Sequence, residues 1–411
     1  MSNATTAKRV PKNFLWGVAI SAHQSEGNNF NSDIWLAENV RPTLFAEPSG
    51  NACDSYHRFA EDIQIAADLG FNCYRFGIEW ARIEPEPGTF SMTELDRYSH
   101  MLDLCLQRCL APMVTFSHFS VPLWFAARGG FEVTDGADLF ARFAEKATER
   151  LGDRIAAATT FNEANVQRLL ALIRKSDAQP GIDAMLAACA ERCGSARFSS
   201  LVFADVKKTE PVLLDAHRKA MAAIKAGPGH FPVGISLTMQ DVQGVGWINL
   251  AKIVANRLYG PWLDEAKNAD FIGVQTYTRV EIGLRGRIDP PADAEMTTSG
   301  YEFYPQALGG TIRLAAARTG KPVYVTESGI ATDDDSRRIA YIDAALAEVR
   351  QCMDEGIDVR SFIQWSLLDN YEWTAGYGQR FGLVDVDFDT FKRTPRPSAF
   401  HLGSIARAGK I

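Results

Sequence analysis

The chain has 411 residues, of which 46% are hydrophobic and 23% are charged, a balance typical of a folded globular protein. Its net charge of −7 gives no attraction to a phosphate backbone, so we expect no nucleic-acid partner. The sequence contains no apolar run of about 18 residues that could span a membrane, and its first ten residues lack the apolar stretch of a signal peptide. We therefore expect a cytoplasmic protein with no membrane partner.

The seven cysteines favour reduced thiols over a disulfide framework or a zinc site. No CxxC pair occurs, and Cys105/Cys109 and Cys189/Cys193 are spaced four residues apart within helical patterns. Metal-ligand spacings such as HExxH, a P-loop and a complete dinucleotide fingerprint are also missing from the sequence. The sequence thus predicts neither a metal nor a cofactor.

Short apolar segments alternate with helical patterns along the chain. The predicted strands lie at residues 14–21, 73–79, 111–118, 158–163, 232–239, 270–277, 323–326 and 359–366. This alternation is typical of a parallel sheet with helical crossovers, and eight units without a linker predict one closed (β/α)₈ barrel, a TIM barrel of the α/β class. We expect a single catalytic domain over residues 1–411, in which residues 1–12 form a disordered or extended arm. The irregular segment 164–210 is expected to cover part of the top face.

Several residues mark where helices begin and end. Asp54 is expected to cap a helix that Gly70 ends, and Ser91 with Glu94 forms a capping box. Pro211 is expected in the first turn of another helix, because backbone N–H groups there have no acceptor within the helix and proline lacks this group.

Polar or aromatic side chains stand at the ends of seven of the eight predicted strands. They are Gln24, Glu79, His118, Asn162 with Glu163, Tyr277, Glu327 and Trp365, whereas the fifth strand offers no candidate. Taken singly, each has a structural explanation; Glu79, for example, is expected to pair with Arg82 or Arg75. Because the carboxyl ends of barrel strands meet at one rim, their joint occurrence predicts a single pocket.

Two carboxylates at this rim, Glu163 and Glu327, suit glycoside hydrolysis. The reaction needs one protonated carboxyl to donate to the leaving oxygen and one ionised carboxylate to attack the anomeric carbon. Arg75 would hold Glu327 in its ionised form, because a nearby cation favours the charged carboxylate. Aromatic rings supply apolar faces for a sugar ring, and Gln, His and Asn side chains satisfy its hydroxyls.

The sequence resembles the β-glucosidase family, glycoside hydrolase family 1, from residue 14 to about residue 400. The segments that carry the resemblance include Phe14-Leu-Trp-Gly17, Gln24-Ser-Glu-Gly27, Tyr74-Arg-Phe-Gly-Ile-Glu-Trp80, Thr160-Phe-Asn-Glu163, Val325-Thr-Glu-Ser-Gly329 and Trp365-Ser-Leu-Leu-Asp-Asn-Tyr-Glu-Trp373. Their occurrence in one order makes the resemblance specific, although no single segment is decisive.

The resemblance implies a role for each residue of the predicted site. Glu163 would be the general acid/base and Glu327 the nucleophile of a retaining double displacement, with their carboxyls about 5 to 5.5 Å apart. Asn162 would bind the sugar 2-hydroxyl. The residues that would form the rest of the sugar site are Gln24, His118, Glu372 and Trp373, with Trp365 as the platform under the ring and Tyr277 and Arg75 beside Glu327.

The sequence also departs from the family pattern near the site. Ala164 stands where the family has Pro, Ser328 where it has Asn, and Phe119 where it has Trp, while Gln275 and Thr276 replace an Asn-Tyr pair. The chain is also short for the family. Because both catalytic carboxylates are kept, the resemblance implies an active enzyme with an altered leaving-group side.

We expect a retaining β-glycosidase whose partner is a small-molecule glycoside or oligosaccharide. The phosphoglycoside branch of the family has Ser and Lys where this chain has Glu372-Trp-Thr, so an unphosphorylated substrate is expected. Two alternatives stay open: a transglycosidase that uses the same intermediate, and a sugar-binding barrel without turnover. The sequence leaves open the glycone, the aglycone and the oligomeric state.

Overall fold

The computed structural model of the chain describes residues 9–173 and 178–411. With every strand numbered in chain order, eight parallel strands form the barrel: β1 (Leu15–Ala19), β2 (Cys73–Gly77), β3 (Ala111–Ser117), β4 (Ala157–Phe161), β5 (Val233–Thr238), β7 (Phe271–Thr276), β10 (Val323–Ser328) and β11 (Val359–Trp365). They close in the order β1-β11-β10-β7-β5-β4-β3-β2. Each predicted strand is present, and the prediction of a (β/α)₈ barrel is confirmed.

Helices connect the strands and surround the barrel. They are α1 (Ala22–Glu26), α2 (Asp33–Asn39), α3 (Ser55–Leu69), α4 (Trp80–Ile83), α5 (Met92–Gln107), α6 (Leu123–Ala127), α7 (Gly136–Leu151), α8 (Val166–Ile173), α9 (Gln179–Arg192), α10 (Val206–Ala226), α11 (Ala251–Ala266), α12 (Ala307–Thr319), α13 (Asp335–Asp354) and α14 (Pro397–Ala408). Their apolar faces pack on the strands; in α5, for example, Leu95, Tyr98 and Leu102 are buried.

Alternation along the strands separates two apolar clusters. Inward-facing side chains such as Cys73, Met113 and Phe271 form one cluster inside the barrel. Their neighbours in sequence, such as Tyr74 and Val114, belong to the larger cluster between strands and helices. The packed interior makes the barrel a rigid support for side chains at the ends of its strands.

Two small sheets lie outside the barrel and were not anticipated from sequence. One joins β6 (Asp241–Gly244), β8 (Arg279–Gly283) and β9 (Gly286–Ile288), and the other joins β12 (Val384–Val386) and β13 (Arg393–Pro395). The first follows directly on β5 and β7, so it extends the top of the barrel beside the strand ends.

One predicted helix signal is confirmed in part and another in full. The Ser91 hydroxyl accepts the Glu94 N–H at 3.3 Å at the start of α5, but the Ser91 N–H donates to the Ile83 carbonyl and not to Glu94, so only half of the capping box forms. Gly70 ends α3 with a φ of 96°, the left-handed conformation that glycine adopts without strain.

Two other signals were wrong. Asp54 precedes α3 but makes no capping bond, because its carboxylate is engaged by His57 and Arg58. Pro211 lies inside α10, which begins at Val206, and not in the first turn. The polar group that caps α10 is Asp205, whose side chain accepts the Lys207 N–H.

Residues 9 and 10 lie beside the residues that follow the C-terminal helix α14. The Val10 N–H donates to the Gly409 carbonyl at 3.1 Å, and Arg9 forms a bridge with Lys410. Of the predicted N-terminal arm, residues 1–8 lie outside the described residues. All seven cysteines are free in the structure. No helix within the described ranges is long and apolar enough to cross a membrane.

Candidate active site

A cavity of about 560 Å³ opens at the carboxyl ends of the barrel strands. Nine of the ten predicted site residues line it: Gln24, His118, Asn162, Glu163, Tyr277, Glu327, Trp365, Glu372 and Trp373. The tenth, Arg75, lies beneath them with 1% of its surface exposed. The structure therefore brings the whole predicted set together, and we call these nine lining residues the polar end of the cavity.

Glu327 ends β10 with both carboxylate oxygens engaged. Its Oε1 accepts a hydrogen bond from Arg75, and its Oε2 accepts one from the Tyr277 hydroxyl at 2.6 Å. Burial raises the pKa of Glu327, while the Arg75 charge and the two hydrogen bonds oppose that rise. Burial and the Glu327 charge raise the pKa of Tyr277 well above its usual range, so this hydroxyl stays a donor.

Arg75 also fixes the neighbouring strand end. Its Nη2 donates to Asn162 Oδ1 at 2.5 Å, and the Gln275 side chain donates to the same oxygen at 2.7 Å. Because this oxygen already has two donors, the Asn162 amide is held with its N–H groups free to face the cavity. The substituted residue Gln275 is thus part of the site, a role that the sequence analysis did not assign.

Glu163 has a different environment from Glu327. Burial and then the Glu327 charge raise the pKa of Glu163 to about 8, and a hydrogen bond from Thr238 and the more distant Arg75 oppose this only in part. No arginine or lysine of the described chain donates a hydrogen bond to it. Glu163 also has a φ of 43°, in the left-handed region, which costs about 1 kcal/mol or more for a non-glycine residue.

A third carboxyl, Glu372, lies on the other side of the polar end. The Gln24 amide donates to it at 3.2 Å and also reaches the Tyr371 carbonyl at 2.8 Å. Burial and the Glu327 charge raise the pKa of Glu372 to about 8, opposed by the hydrogen bond from Gln24. Gln24 and Glu372 therefore form one hydrogen-bonded unit of donors and acceptors at this side of the cavity.

Aromatic rings close the polar end. The His118 imidazole stacks on Trp365 at 5.6 Å and on Trp373 at 6.2 Å between ring centroids. Burial and then the Arg75 charge hold the pKa of His118 well below its usual range, so the ring is neutral near pH 7. Its Nδ1 has no hydrogen-bond partner, which leaves it available to a ligand hydroxyl. Phe119 packs edge-on against Trp373 at 5.2 Å.

Glu79 is the one strand-end candidate that does not line the cavity. It is a structural residue, as expected, but its predicted partners were wrong. Its carboxylate accepts the Ser120 hydroxyl at 2.7 Å and the Ala81 N–H at 3.1 Å. Arg82 binds Glu26 instead.

The cavity also has residues that sequence reasoning missed. Thr238 ends β5, the strand for which no candidate was named, Gln240 lies two residues further on, and Ser299 and Tyr301 come from the loop before α12. Polar residues at the end of an apolar strand were a signal that could have identified the first two. The described lining residues from segment 164–210 are all apolar, and their place in the cavity agrees with the expected position of this segment over the top face. Most of the rest of the lining comes from the loops after β1 and β11 and includes Leu44, Phe45, Gln379 and Phe381. No cluster of His, Cys, Asp and Glu among the described residues is arranged to hold a metal ion.

The two carboxyls differ in their surroundings. Burial and the neighbouring Glu327 charge raise the pKa of Glu163, whereas Glu327 is paired with Arg75. Glycoside hydrolases separate the acid from the nucleophile by a difference of this kind. The barrel places both at the rim where enzymes of this fold carry their catalytic residues.

Comparison with known proteins shows to which family the chain belongs. The chain matches the model of glycosyl hydrolase family 1 over residues 6–237 and 266–411, and it belongs to this family. Its structure is similar to the apo structure of β-glucosidase 1317, with a TM-score of 0.93, 44% identity, and coverage of 96% of this chain and 98% of that one.

Two further relatives agree. A β-glycosidase from Pyrococcus horikoshii has a TM-score of 0.85 and 33% identity over 99% of this chain and 96% of its own. β-Glucosidase A of Thermotoga maritima is 28% identical over 97% of this chain and 98% of that protein. The chain is accordingly a glycoside hydrolase of the β-glycosidase kind.

Proposed function

We propose that the protein is a retaining β-glycosidase, similar to β-glucosidases, that hydrolyses unphosphorylated β-D-glycosides by double displacement. The observation that supports this most directly is the unequal environment of its two carboxyls. Glu327 accepts hydrogen bonds from Arg75 and Tyr277, whereas Glu163 has no such cation and its pKa is raised to about 8. If one proton is shared by the pair, it resides on Glu163.

In the first step, the Glu327 carboxylate attacks the anomeric carbon. The glycosidic C–O bond breaks, and Glu163 gives its proton to the leaving oxygen. The product of this step is a glycosyl ester on Glu327 and an ionised Glu163. Loss of the negative charge on Glu327 removes one cause of the raised Glu163 pKa, which prepares Glu163 to act as a base.

In the second step, Glu163 takes a proton from a water molecule that attacks the anomeric carbon from the opposite face. The ester bond to Glu327 breaks, and both carboxyls return to their starting states. Two inversions give overall retention. Asn162 would bind the 2-hydroxyl, because its amide N–H groups remain free while its oxygen is held by Arg75 and Gln275.

The remaining polar residues would bind the sugar. Gln24 and Glu372 would hold hydroxyls at one edge of the ring, His118 and Trp373 would bind there too, and Trp365 would lie beneath it. Among the described residues that line the cavity there is no lysine or arginine, and Arg75 is already committed to Glu327 and Asn162. Within residues 9–173 and 178–411, a sugar phosphate would therefore find no uncommitted cation in the cavity lining, which supports an unphosphorylated substrate.

We also propose that the chain acts as one catalytic domain in the cytoplasm. Strands from Leu15 to Trp365 share one barrel, and the free thiols of all seven cysteines suit a reducing compartment. The alternatives of a transglycosidase and of an inactive sugar-binding barrel gain no support from the comparisons. Product analysis at high acceptor concentration distinguishes the first from a hydrolase.

The test is to trap the covalent intermediate. A 2,4-dinitrophenyl 2-deoxy-2-fluoro-β-D-glucoside should inactivate the enzyme and add one fluoroglucosyl group, found by peptide mass spectrometry on Glu327. Proton NMR of a normal β-glucoside reaction should show the β-anomer of the sugar first. Labelling of another residue, or an initial α-anomer, would contradict the mechanism.

A further inference from the structure

The cavity continues beyond the carboxyls along α8. Glu163 protonates the leaving oxygen in the proposed function, so the leaving group must lie beside this residue. The chain enters α8 three residues later, and the Val166 N–H donates to the Glu163 carbonyl at 2.8 Å. Whatever is attached to the sugar therefore meets this helix first.

The face of α8 turned toward the cavity is apolar. Val166, Leu169, Leu170 and Ile173 are spaced i, i+3, i+4 and i+7, which places them on one side of the helix, and all four line the cavity. The polar residues of the same helix face elsewhere. Gln167 donates to the Leu201 carbonyl and accepts from the Thr209 hydroxyl, and Arg168 pairs with Glu210.

A second apolar surface faces the same space. Phe45 and Phe203 pack edge-to-face with ring centroids 5.9 Å apart, and both line the cavity together with Val202 and Ile182. The hydrogen bond from Gln167 to Leu201 ties the short 3₁₀ turn that carries Phe203 to α8. We call the side chains of Phe45, Val166, Leu169, Leu170, Val202 and Phe203 the apolar wall.

The apolar wall has no charged side chain; Leu170 and Val202 are half-buried, whereas its other four residues are buried and expose 6–7% of their surface at the cavity. The carboxylates among the described lining residues, Glu163, Glu327 and Glu372, all belong to the polar end. Next to the wall, Ile173 is 38% exposed and Leu44 is 38% exposed. A second sugar would need several hydrogen-bond partners in place of water, and an apolar surface beside a catalytic group favours an apolar ligand.

Resting on the proposed function, we propose that the leaving-group site takes an apolar aglycone, an aryl or alkyl alcohol, in preference to a second sugar. The sugar ring occupies the polar end, and the aglycone lies between α8 and the Phe45–Phe203 pair. A cavity of about 560 Å³ lies within the range of ~300–1,000 Å³ of pockets that enclose whole small ligands.

The test compares leaving groups that differ in apolar surface and little in acidity. Methyl, butyl and hexyl β-D-glucosides are hydrolysed beside cellobiose, with glucose release as the readout. We expect kcat/KM to rise about two- to fourfold per added methylene, and the hexyl glucoside to exceed cellobiose by about tenfold or more. A flat series, or cellobiose cleaved as fast as the hexyl glucoside, would overturn the inference.

A pair of variants locates the effect on α8. Leu170→Gln should lower the ratio of kcat/KM between hexyl and methyl glucosides about tenfold, the equivalent of roughly two lost methylenes. Ala171→Gln introduces the same side chain at the next position, which is exposed and does not line the cavity, and should leave the ratio unchanged. Thermal unfolding of both variants checks that they are folded; equal ratios in the two folded variants would contradict the assignment.

Failure of this inference and failure of the proposed function give different results. Labelling of Glu327 by the fluoroglucoside together with a flat alkyl series would reject the apolar aglycone and keep the retaining mechanism. Absence of both labelling and turnover would reject the mechanism itself. A second copy of the chain seated on the apolar wall would give a dimer by light scattering that Leu170→Gln weakens, and this outcome would also overturn the inference.

Discussion

The polar end and the apolar wall of one cavity are built in different ways. Side chains at the polar end come mainly from strand ends, and a network of hydrogen bonds fixes the catalytic ones, as Arg75 does for Glu327 and Asn162. The apolar wall comes from α8, a 3₁₀ turn and a loop, and is held by side-chain packing and by the hydrogen bond from Gln167 to the Leu201 carbonyl. In the proposed function, the reaction chemistry is thus placed on the rigid barrel, and substrate choice on the connections between its strands.

This comparison predicts two kinds of variant. Changes at the polar end should lower turnover for every aglycone. Changes in the apolar wall should alter the ranking of aglycones, as the alkyl glucoside series measures.

The largest expected effect is at Glu327. Glu327→Gln removes the nucleophile while keeping the size of the side chain, so kcat should fall on the order of 10⁴- to 10⁶-fold with any leaving group. Steady-state hydrolysis of 4-nitrophenyl β-D-glucoside measures this. Glu348→Gln, at a carboxylate on α13 outside the cavity, is the control. Turnover within tenfold of the unaltered enzyme would remove Glu327 from the mechanism.

The next largest loss of activity is expected at Glu163, and its size should depend on the leaving group. Glu163→Gln should cost about 10²- to 10⁴-fold in kcat/KM with alkyl glucosides, which need a proton. The first step with a 2,4-dinitrophenyl glucoside should be affected far less, because this leaving group departs as an anion. An equal loss with both substrates in pre-steady-state measurements would mean that Glu163 is not the acid.

The pH profile gives a second test of Glu163. Its protonated form is the active one, so kcat/KM should fall as the pH rises through about 8, the raised pKa of this carboxyl. The acid limb should follow Glu327, which must be ionised. In Glu163→Gln the alkaline limb should disappear, and its persistence would assign that limb to another group such as Glu372, whose pKa is also raised to about 8.

The polar end could be predicted from sequence better than the apolar wall, because the two regions are built from different elements. The eight strands and seven of the ten site residues were predicted because an apolar segment followed by a polar or aromatic residue is a local signal. Arg75, inside β2, was predicted as the cation beside Glu327, and the family resemblance assigned Glu372 and Trp373, which follow the last strand. Thr238 and Gln240 show the strand-end signal at β5 but were overlooked. Contacts between distant segments could not be predicted from sequence. No local pattern indicates that Gln275 donates to Asn162, or that Arg82 pairs with Glu26 and not with Glu79.

The apolar wall was harder to predict for a physical reason. Val166, Leu169, Leu170 and Ile173 have the spacing of an ordinary amphipathic helix, and the same pattern usually faces a core. Only the position of α8 above the barrel mouth shows that this face meets a cavity. Its role in substrate choice therefore depends on tertiary structure.

Replacing Arg75 should lower the rate less than replacing Glu327. The pH profile of the variant separates the effect of the Arg75 charge from the effect of its packing. Arg75→Met removes the cation that opposes the raised pKa of Glu327, so the acid limb of kcat/KM should move to higher pH. The rate should fall about 10²-fold, because a buried carboxylate loses its partner. Arg360→Met, on barrel strand β11 at the surface, is the matched control and should leave the profile unchanged. An unshifted acid limb in Arg75→Met would contradict the proposed coupling.

The smallest expected effect concerns Gln275, where the chain departs from the family pattern. Gln275→Leu removes one of the two donors to Asn162 Oδ1, so the amide is oriented by Arg75 alone and the contact to the 2-hydroxyl weakens. We expect a loss of about tenfold in kcat/KM for an aryl β-D-glucoside, the size of one hydrogen bond. The loss should be nearly absent for the matching 2-deoxyglucoside, which has no 2-hydroxyl to bind.

Gln275→Asn keeps the amide on a shorter side chain, so its N–H reaches Asn162 less well. Its kcat/KM for the glucoside should lie between that of the unaltered enzyme and that of Gln275→Leu. If both substrates lose the same factor, Gln275 acts through packing of the barrel interior. If only the glucoside is affected, a residue that contacts no substrate atom positions the group that does, and the polar end owes its precision to this second layer of hydrogen bonds.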